Sequence, residues 1–480
     1  MKDFDQGKRG ETLAIENTHL GAEAIGRALQ SCKSVFFIGI GGISMSSLAQ
    51  LTVHDGFLVG GSDRTETDLT RSLEEQGIRV FLGHDAANIE AYDAVVYTVA
   101  IGADNPEYLA ARERGKLLVS RSDYLGYLMS TFRTRVGVAG MHGKSTCTAM
   151  CASIFLADGD ATVLCGAELP ALNNSTCRIG SDKDRFLFEA CEYMDSFLDF
   201  NPTLAVILNV GMDHVDYFHS MEQVRASFLK YAERTGRYGT VLYNADDTES
   251  VLAMQSFTGR RVTFGIDADA DFTATNICVK NRKKTFDFCY RGERLCQISL
   301  SVTGLHNVYN ALAAASAATL CGVPPKAIAD GLAGFAGAHR RMEYKGTLAC
   351  GATVYDDYGH HPDEIRATLR GARELGYGRV LCAYQPHTYS RTAGLLDEFS
   401  VAFDDADLVF FADVYAAREQ NTYGVTSRTL ADRVGDRAQY CGSFEAAAKA
   451  ILETAEADDL VIVMGAGDVF KVFDFLELNR

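Results

Sequence analysis

The 480-residue chain has no C-x-x-C pair, no apolar run near the roughly 20 residues that a membrane span requires, and no excess of basic residues. Each absence removes a class of function. The thirteen cysteines lie singly, which reads as reduced thiols and excludes a disulfide framework or a sequence-local zinc site. A formal net charge of −17 argues against a nucleic-acid-binding surface, although a few local cations can still hold an anionic substrate. Residues 1–16 are polar and mixed in charge, without the apolar core of a signal peptide, so a cytoplasmic protein is expected. Tandem repeats and low-complexity tracts are also missing. At this length two or three domains are expected, and an apolar fraction of 47% can fill their cores.

What is present is an alternation of short apolar runs with helical patterns from end to end, the sequence form of α/β domains. Strand runs at 35–39, 57–60, 80–82 and 94–98, with a helix over 43–54, make a first unit that ends in a polar, basic stretch at 130–135 suited to a hinge. A strand over 135–139 then feeds a glycine-rich turn and a helix over 145–156, and strands at 186–189 and 204–209 extend that sheet. A more antiparallel, β-rich stretch is expected over 262–303, followed by a helix over 307–321 and a Gly/Ala-rich segment to 338. After Arg341, strands at 353–356, 380–384, 408–412 and 460–464 form a third unit. The pattern predicts three α/β domains in series, bounded at 1–132, 133–340 and 341–480.

The turn Gly140-Met141-His142-Gly143-Lys144-Ser145 joins a strand to a helix, so it offers backbone N–H groups and a helix N-terminus to an anion. Lys144 can neutralise phosphate charge and the Ser145 hydroxyl can ligate magnesium. Val138 stands where the eight-residue phosphate-loop pattern has glycine, so the match is to the shorter G-x-x-G-K-S form. Glu189 ends a strand, where an α/β site places a metal ligand, and a solvated acidic turn is the alternative. The cluster Asp213-His214-Val215-Asp216 suits a second metal ion or phosphate contacts, or else a hydrogen-bonded structural histidine.

Two further regions carry chemistry. Gly39-Ile40-Gly41-Gly42-Ile43-Ser44 follows a strand and opens a helix, with Asp63 about 20 residues on, as in a dinucleotide fingerprint. Ser44 replaces the third glycine, and any nucleotide diphosphate would meet the same donors. Asp356-Asp357-Tyr358-Gly359-His360-His361-Pro362 and Gln385-Pro386-His387-Thr388-Tyr389-Ser390-Arg391 lie at the ends of neighbouring strand runs, which makes a site at the sheet's carboxyl edge. Arg340-Arg341 sits at the second domain junction, where a guanidinium can reach a phosphate or simply be solvated.

In this order, together with Asn105-Pro106-Glu107 and His306-Asn307-x-x-Asn310, the motifs from Ser34 to the C-terminus resemble the Mur ligases of peptidoglycan synthesis, and those at Asp356–Pro362 and Gln385–His387 point to their alanine-adding branch. The resemblance implies an N-terminal Rossmann-like domain binding the UDP-substrate, a central P-loop ATPase-type domain, and a C-terminal Rossmann-like domain binding the amino acid. It implies ATP-dependent amide formation with magnesium, joining L-alanine to the lactyl carboxylate of UDP-N-acetylmuramate through an acyl phosphate. The chain would be a monomer or homodimer with no nucleic acid and no membrane insertion. Gly140, His142, Gly143, Lys144, Ser145 and Thr146 would bind ATP phosphates, Asn307 and Asn310 the adenine, Asp357 the ribose and Arg341 the γ-phosphate. Ser145, Glu189 and His214 would hold metal, and Lys144, Glu189, His214 and Arg341 would form the catalytic set. Gly39, Gly41, Gly42 and Asp63 would cradle the UDP diphosphate. Tyr358, His360 and Arg391 would hold the alanine carboxylate. The chain departs from its relatives at Thr388, where many carry arginine, and at Met141 and Cys191, which leave Lys144, Ser145 and Glu189 intact. Three other readings compete: a recycling ligase that attaches an intact peptide, an NAD-dependent oxidoreductase built on the first domain, and a regulatory protein that binds UDP-sugar or ATP without turnover.

Overall fold

The computed structural model describes residues 15–479, apart from 170–171, 173–174, 215–216, 281–282, 303, 336 and 338–339. Asp216, expected beside His214, and residues 303 and 338, expected to end segments, therefore lie outside the described residues. The chain has a three-domain α/β architecture built on three sheets. Its backbone separates into two compact units: Met1–Lys144 with Gly159–Gly166 and Ser175–Thr263, and Ser145–Asp158 with Ala167–Asn174 and Phe264–Arg480.

The first sheet holds β1 (Ser34–Ile38), β2 (Leu58–Asp63), β3 (Arg79–Leu82), β4 (Ala94–Tyr97) and β5 (Leu117–Ser120), all parallel in the order β3-β2-β1-β4-β5. Strand β1 is buried along its whole length, as a continuous apolar run in the middle of a parallel sheet should be. Strand order reverses between β1 and β4, and the glycine-rich turn leaves β1 at that point. The helix Ile43–His54 follows the turn. Residues 130–135 form a short, anchored connection. Arg133 donates its N–H to the Lys183 carbonyl, and the Arg135 guanidinium donates to the Phe132 and Asn201 carbonyls.

The second sheet runs β15-β14-β13-β12-β11-β10-β6-β9-β7-β8. Its members are β6 (Thr134–Ala139), β7 (Thr162–Leu169), β8 (Ser175–Arg178), β9 (Arg185–Glu189), β10 (Leu204–Ile207) and β11 (Thr240–Asn244), then β12 (Arg260–Gly265), β13 (Phe272–Lys280), β14 (Lys283–Tyr290) and β15 (Glu293–Leu300). Strand β6 lies between β9 and β10, parallel to both. The antiparallel stretch is confined to β13–β15, since β12 pairs with β13 in parallel. In the second unit, Gly331 on the helix Pro325–Ala333 lies so close to the helix Lys144–Asp158 that an added Cβ would stand 2.6 Å from Ile154 Cα. Only glycine permits that approach.

The third sheet holds β16 (Glu343–Thr347), β17 (Thr353–Asp357), β18 (Arg379–Tyr384), β19 (Leu408–Ala412), β20 (Ala438–Gly442) and β21 (Asp459–Met464), in the order β16-β17-β21-β18-β19-β20. All pairs are parallel except β16 with β17. Strands β18 and β21 are buried almost throughout and separate two apolar cores, one around Ile365, Leu369 and Phe403 and one around Leu348, Val354 and Ile451. The loops after β17, β18 and β19 leave the same edge of this sheet. Among the described residues, no helix is long and apolar enough to cross a membrane.

Candidate active site

The phosphate loop is shaped by two left-handed glycines, Gly140 with φ 145° and Gly143 with φ 83°. A Cβ on Gly140 would stand 3.0 Å from Leu208 Cβ and 3.2 Å from the Asn209 nitrogen, so the position also lacks room for a side chain. Asn209 fixes the loop from the neighbouring strand end. Its side-chain oxygen accepts the His142 N–H at 2.9 Å, its amide donates to the His142 carbonyl at 3.0 Å, and its own carbonyl accepts the Met141 N–H at 3.3 Å.

Lys144 folds back over this loop. Its ammonium donates to the Gly140 carbonyl at 2.5 Å and to both Glu192 oxygens at 3.1 and 3.0 Å. Burial opposes the Lys144 charge, but Glu192 outweighs it and the lysine pKa lies above its ordinary value. Glu192 is completely buried, which works against ionisation, yet Lys144 and a hydrogen bond from His214 hold its pKa below the usual carboxylate value. His214, itself in a left-handed conformation with φ 50°, places Nε2 3.4 Å from Glu192 and its ring 4.7 Å from that of Tyr193.

The carboxylate that touches both Lys144 and His214 is thus Glu192, three residues beyond the predicted Glu189. Glu189 accepts the Gly166 N–H at 2.8 Å and the Cys165 thiol at 3.4 Å. The Cys191 thiol, Glu192 carboxylate and His214 imidazole offer ligand atoms within 4.8 Å of one another. The Glu192 oxygens suit a hard cation such as magnesium, whereas Cys191 does not, and burial keeps Cys191 a thiol by raising its pKa.

In the first sheet, Gly39, Gly41, Gly42 and Asp63 come together. Asp63 accepts the Gly41 N–H at 2.9 Å and the Arg64 N–H at 2.7 Å, so it shapes the turn directly. A Cβ on Gly41 would stand 2.9 Å from that carboxylate oxygen. Beneath it lies a network that sequence reading did not assign. Buried Glu107 accepts from the Ser62 hydroxyl at 2.6 Å and the Asn88 amide at 2.8 Å, with His84 at 2.8 Å.

Within the second unit, Ser145 and Thr146 occupy the first turn of the helix Lys144–Asp158. Asn307 and Asn310 are buried on the helix Leu305–Leu320, joined by a 3.3 Å bond. His306 beside them is pushed down to about 4 by burial, with Arg341 adding to the shift. Asp357 accepts the Met342 N–H at 2.9 Å and the Gly359 N–H at 2.8 Å, so both oxygens brace the loop that carries Tyr358. Burial raises its pKa against the pull of Arg341. Tyr358 has the Arg340 and Arg341 guanidinium carbons 5.2 and 5.1 Å from its ring centre. Arg340 is tied to the Gly465 and Gly467 carbonyls and to Asp356, while Arg341 reaches Glu364 at 3.8 Å. His360, His387 and Arg391 meet at the carboxyl edge. The two imidazoles are 5.9 Å apart, and Arg391 Nη1 lies 3.3 Å from His387 Nδ1.

A three-domain α/β chain with a phosphate loop on its middle sheet and histidine–arginine loops on its last defines a class that the comparisons identify. Residues 34–133 match the Mur ligase family catalytic domain, 138–318 the Mur ligase middle domain and 340–467 the Mur ligase glutamate ligase domain. The chain belongs to the Mur ligase family. It is 42% identical over 450 residues to UDP-N-acetylmuramate–L-alanine ligase of Clostridium novyi, across 93% of this chain and 97% of that protein. The crystal structure of UDP-N-acetylmuramate–alanine ligase from Thermotoga maritima matches with a TM-score of 0.76 and 27% identity, covering 92% of this chain and 98% of the other. A murein peptide ligase from Psychrobacter arcticus shares the fold at 24% identity and a TM-score of 0.65, covering 92% and 97%.

Proposed function

We propose that this chain joins L-alanine to the lactyl carboxylate of UDP-N-acetylmuramate with ATP, a step in making peptidoglycan precursors in the cytoplasm. The carrying observation is Lys144, held charged by Glu192 at the phosphate loop, in a chain 42% identical to a ligase of that name. An NAD-dependent oxidoreductase would leave this buried pair without a task.

A carboxylate does not react with amines, so it is first phosphorylated by attack on the γ-phosphate, which gives an acyl phosphate and ADP. The alanine amine then displaces phosphate through a tetrahedral intermediate. Lys144 supplies a fixed cation for the transferring phosphoryl group, while Asn209 holds the Met141 and His142 N–H groups and so sets the shape of the loop from Gly140 to Gly143, with His142, that receives the phosphates. Ser145, Thr146, Asn307, Asn310, Arg341 and Asp357 take the nucleotide roles their motifs carry in the family. Glu192, with Glu189 and His214, would hold magnesium, which would supply charge neutralisation at the phosphates. Gly39, Gly41, Gly42 and Asp63 form the diphosphate cradle, and Tyr358, His360 and Arg391 hold the amino acid. The corresponding domains are 1–132, 133–340 and 341–480.

Lys144→Ala is expected to abolish alanine-dependent phosphate release while UDP-N-acetylmuramate still binds, as read by calorimetry. Undiminished release in that variant would remove Lys144 from the mechanism.

A further inference from the structure

The two histidines at the carboxyl edge of the third sheet differ in the proton each ring must carry, because their fixed partners differ. His360 Nδ1 lies 3.1 Å from the Tyr358 carbonyl and 3.3 Å from Glu364 Oε2. Both partners are acceptors, so Nδ1 carries the hydrogen and donates. In the neutral ring Nε2 is then a bare lone pair, and it has no hydrogen-bond partner among the described residues. His387 Nδ1 faces Arg391 Nη1 at 3.3 Å, and a guanidinium can only donate. His387 therefore carries its hydrogen on Nε2 and presents a donor, with its ring stacked 5.3 Å from Tyr415.

Both rings are neutral near pH 7. Burial lowers the His360 pKa, opposed by Glu364 and helped by Arg391 and Arg341. Burial takes His387 down to about 4, with His360 and Arg391 adding to the shift and Glu419 opposing it. The groups that face the pair are Tyr358 from the loop after β17, Glu364 from the helix Pro362–Arg373, Arg391 from the helix Tyr389–Gly394, Arg341 from the segment before β16, Tyr384 from β18, and Glu419 and Tyr415 beyond β19.

A site with one bare acceptor beside one donor and one guanidinium is complementary to both ends of a zwitterionic amino acid. We propose that His360 Nε2 takes a proton from the alanine ammonium, releasing the nucleophile, while His387 Nε2–H and Arg391 hold the carboxylate. This assignment rests on the alanine-ligating function proposed above, and it moves His360 from the carboxylate to the amine. In the step, an N–H electron pair stays on nitrogen as its proton passes to His360, and the Glu364 carboxylate, 3.3 Å from Nδ1, stabilises the resulting imidazolium by its charge while Nδ1–H donates to the Tyr358 carbonyl. The amine lone pair forms the C–N bond. The acyl carbon–oxygen bond breaks, phosphate leaves with that electron pair, and the second amine proton goes to the departing phosphate.

The test compares wild-type protein, His360→Gln and His360→Asn with ATP and UDP-N-acetylmuramate, using alanine or hydroxylamine as acceptor. Hydroxylamine is already neutral at pH 7 and needs no base. For the wild type, kcat/KM for alanine is expected to be flat over about pH 7–9. Both variants should fall about a hundredfold at pH 7 and then gain about tenfold per pH unit as free amine accumulates. Hydroxamate formation should be within about twofold of wild type in both variants, because the acyl phosphate still forms. An equal loss with hydroxylamine, or a variant profile as flat as that of the wild type, would overturn the assignment. A wild type without alanine-dependent phosphate release would instead overturn the underlying ligase reading.

Discussion

Lys144 and Glu192 form a buried ion pair whose energetics can be measured apart from catalysis. Glu192 is fully enclosed and the Lys144 side chain is 16% exposed, with both carboxylate oxygens within hydrogen-bond reach of the ammonium. Removing either partner alone leaves the other as an uncompensated buried charge, a loss of about 3–5 kcal/mol. Replacing both with apolar groups of similar volume, Lys144→Met with Glu192→Leu, removes the attraction together with both desolvation penalties. The double variant is therefore expected to lie near wild-type stability and above either single variant, a coupling of about 3 kcal/mol or more. Urea unfolding of the four proteins at pH 7 supplies the cycle. The pair also has a pH window. Glu192 sits below its ordinary 4.5, so its contribution is present above that value and lost as acid carries the pH through the folded pKa. Lys144 sits above its ordinary 10.5, so its contribution is present below that value and lost as the pH rises through the folded pKa. The stability difference between wild type and double variant should be flat over about pH 5–10. Single losses that simply add in the double variant would refute the pair and the electrostatic account of the loop.

Two further substitutions separate the loops by substrate. Asn209→Ala removes two side-chain hydrogen bonds to the His142 backbone, each worth about 1 kcal/mol, so the KM for ATP should rise about tenfold or more. An unchanged KM for ATP would show that the loop holds its shape without Asn209. Arg391→Ala should raise the KM for alanine at least about tenfold while that for ATP changes little, because the guanidinium meets His387 at the third sheet's edge. Equal effects on both would place Arg391 outside the acceptor site.

Much of this architecture is legible in the sequence because buried parallel strands are written as apolar runs. Strands β1, β4, β9, β18, β19 and β21 fall within a residue or so of where their runs place them. The runs left unmarked β7 and β11, which lie inside the second sheet, and four strands at a sheet edge, β5, β8, β16 and β20. There one side of the ladder is unpaired and short, polar or Gly-containing segments such as Ser175–Arg178 and Glu343–Thr347 suffice. Motif reading likewise located the phosphate loop but not its clamp. Asn209 is 67 residues from His142 in sequence, and only the pairing of β10 with β6 brings them together. Glu189 has the position expected of a metal ligand at a strand end. The tight turn after it, with Met194 and Asp195 left-handed, accompanies Glu192 as it faces Lys144 and His214, and no spacing rule reveals that. The histidine tautomers were equally unreadable, since each is set by a partner on another loop or helix turn.

Phosphate release measured with ATP, UDP-N-acetylmuramate and a panel of amino acids and short peptides tests the central claim most directly. Release is expected to depend on both UDP-N-acetylmuramate and a single amino acid, with alanine giving the highest kcat/KM. Release that ignores free alanine and responds to an intact peptide would make the chain a recycling ligase and contradict the account.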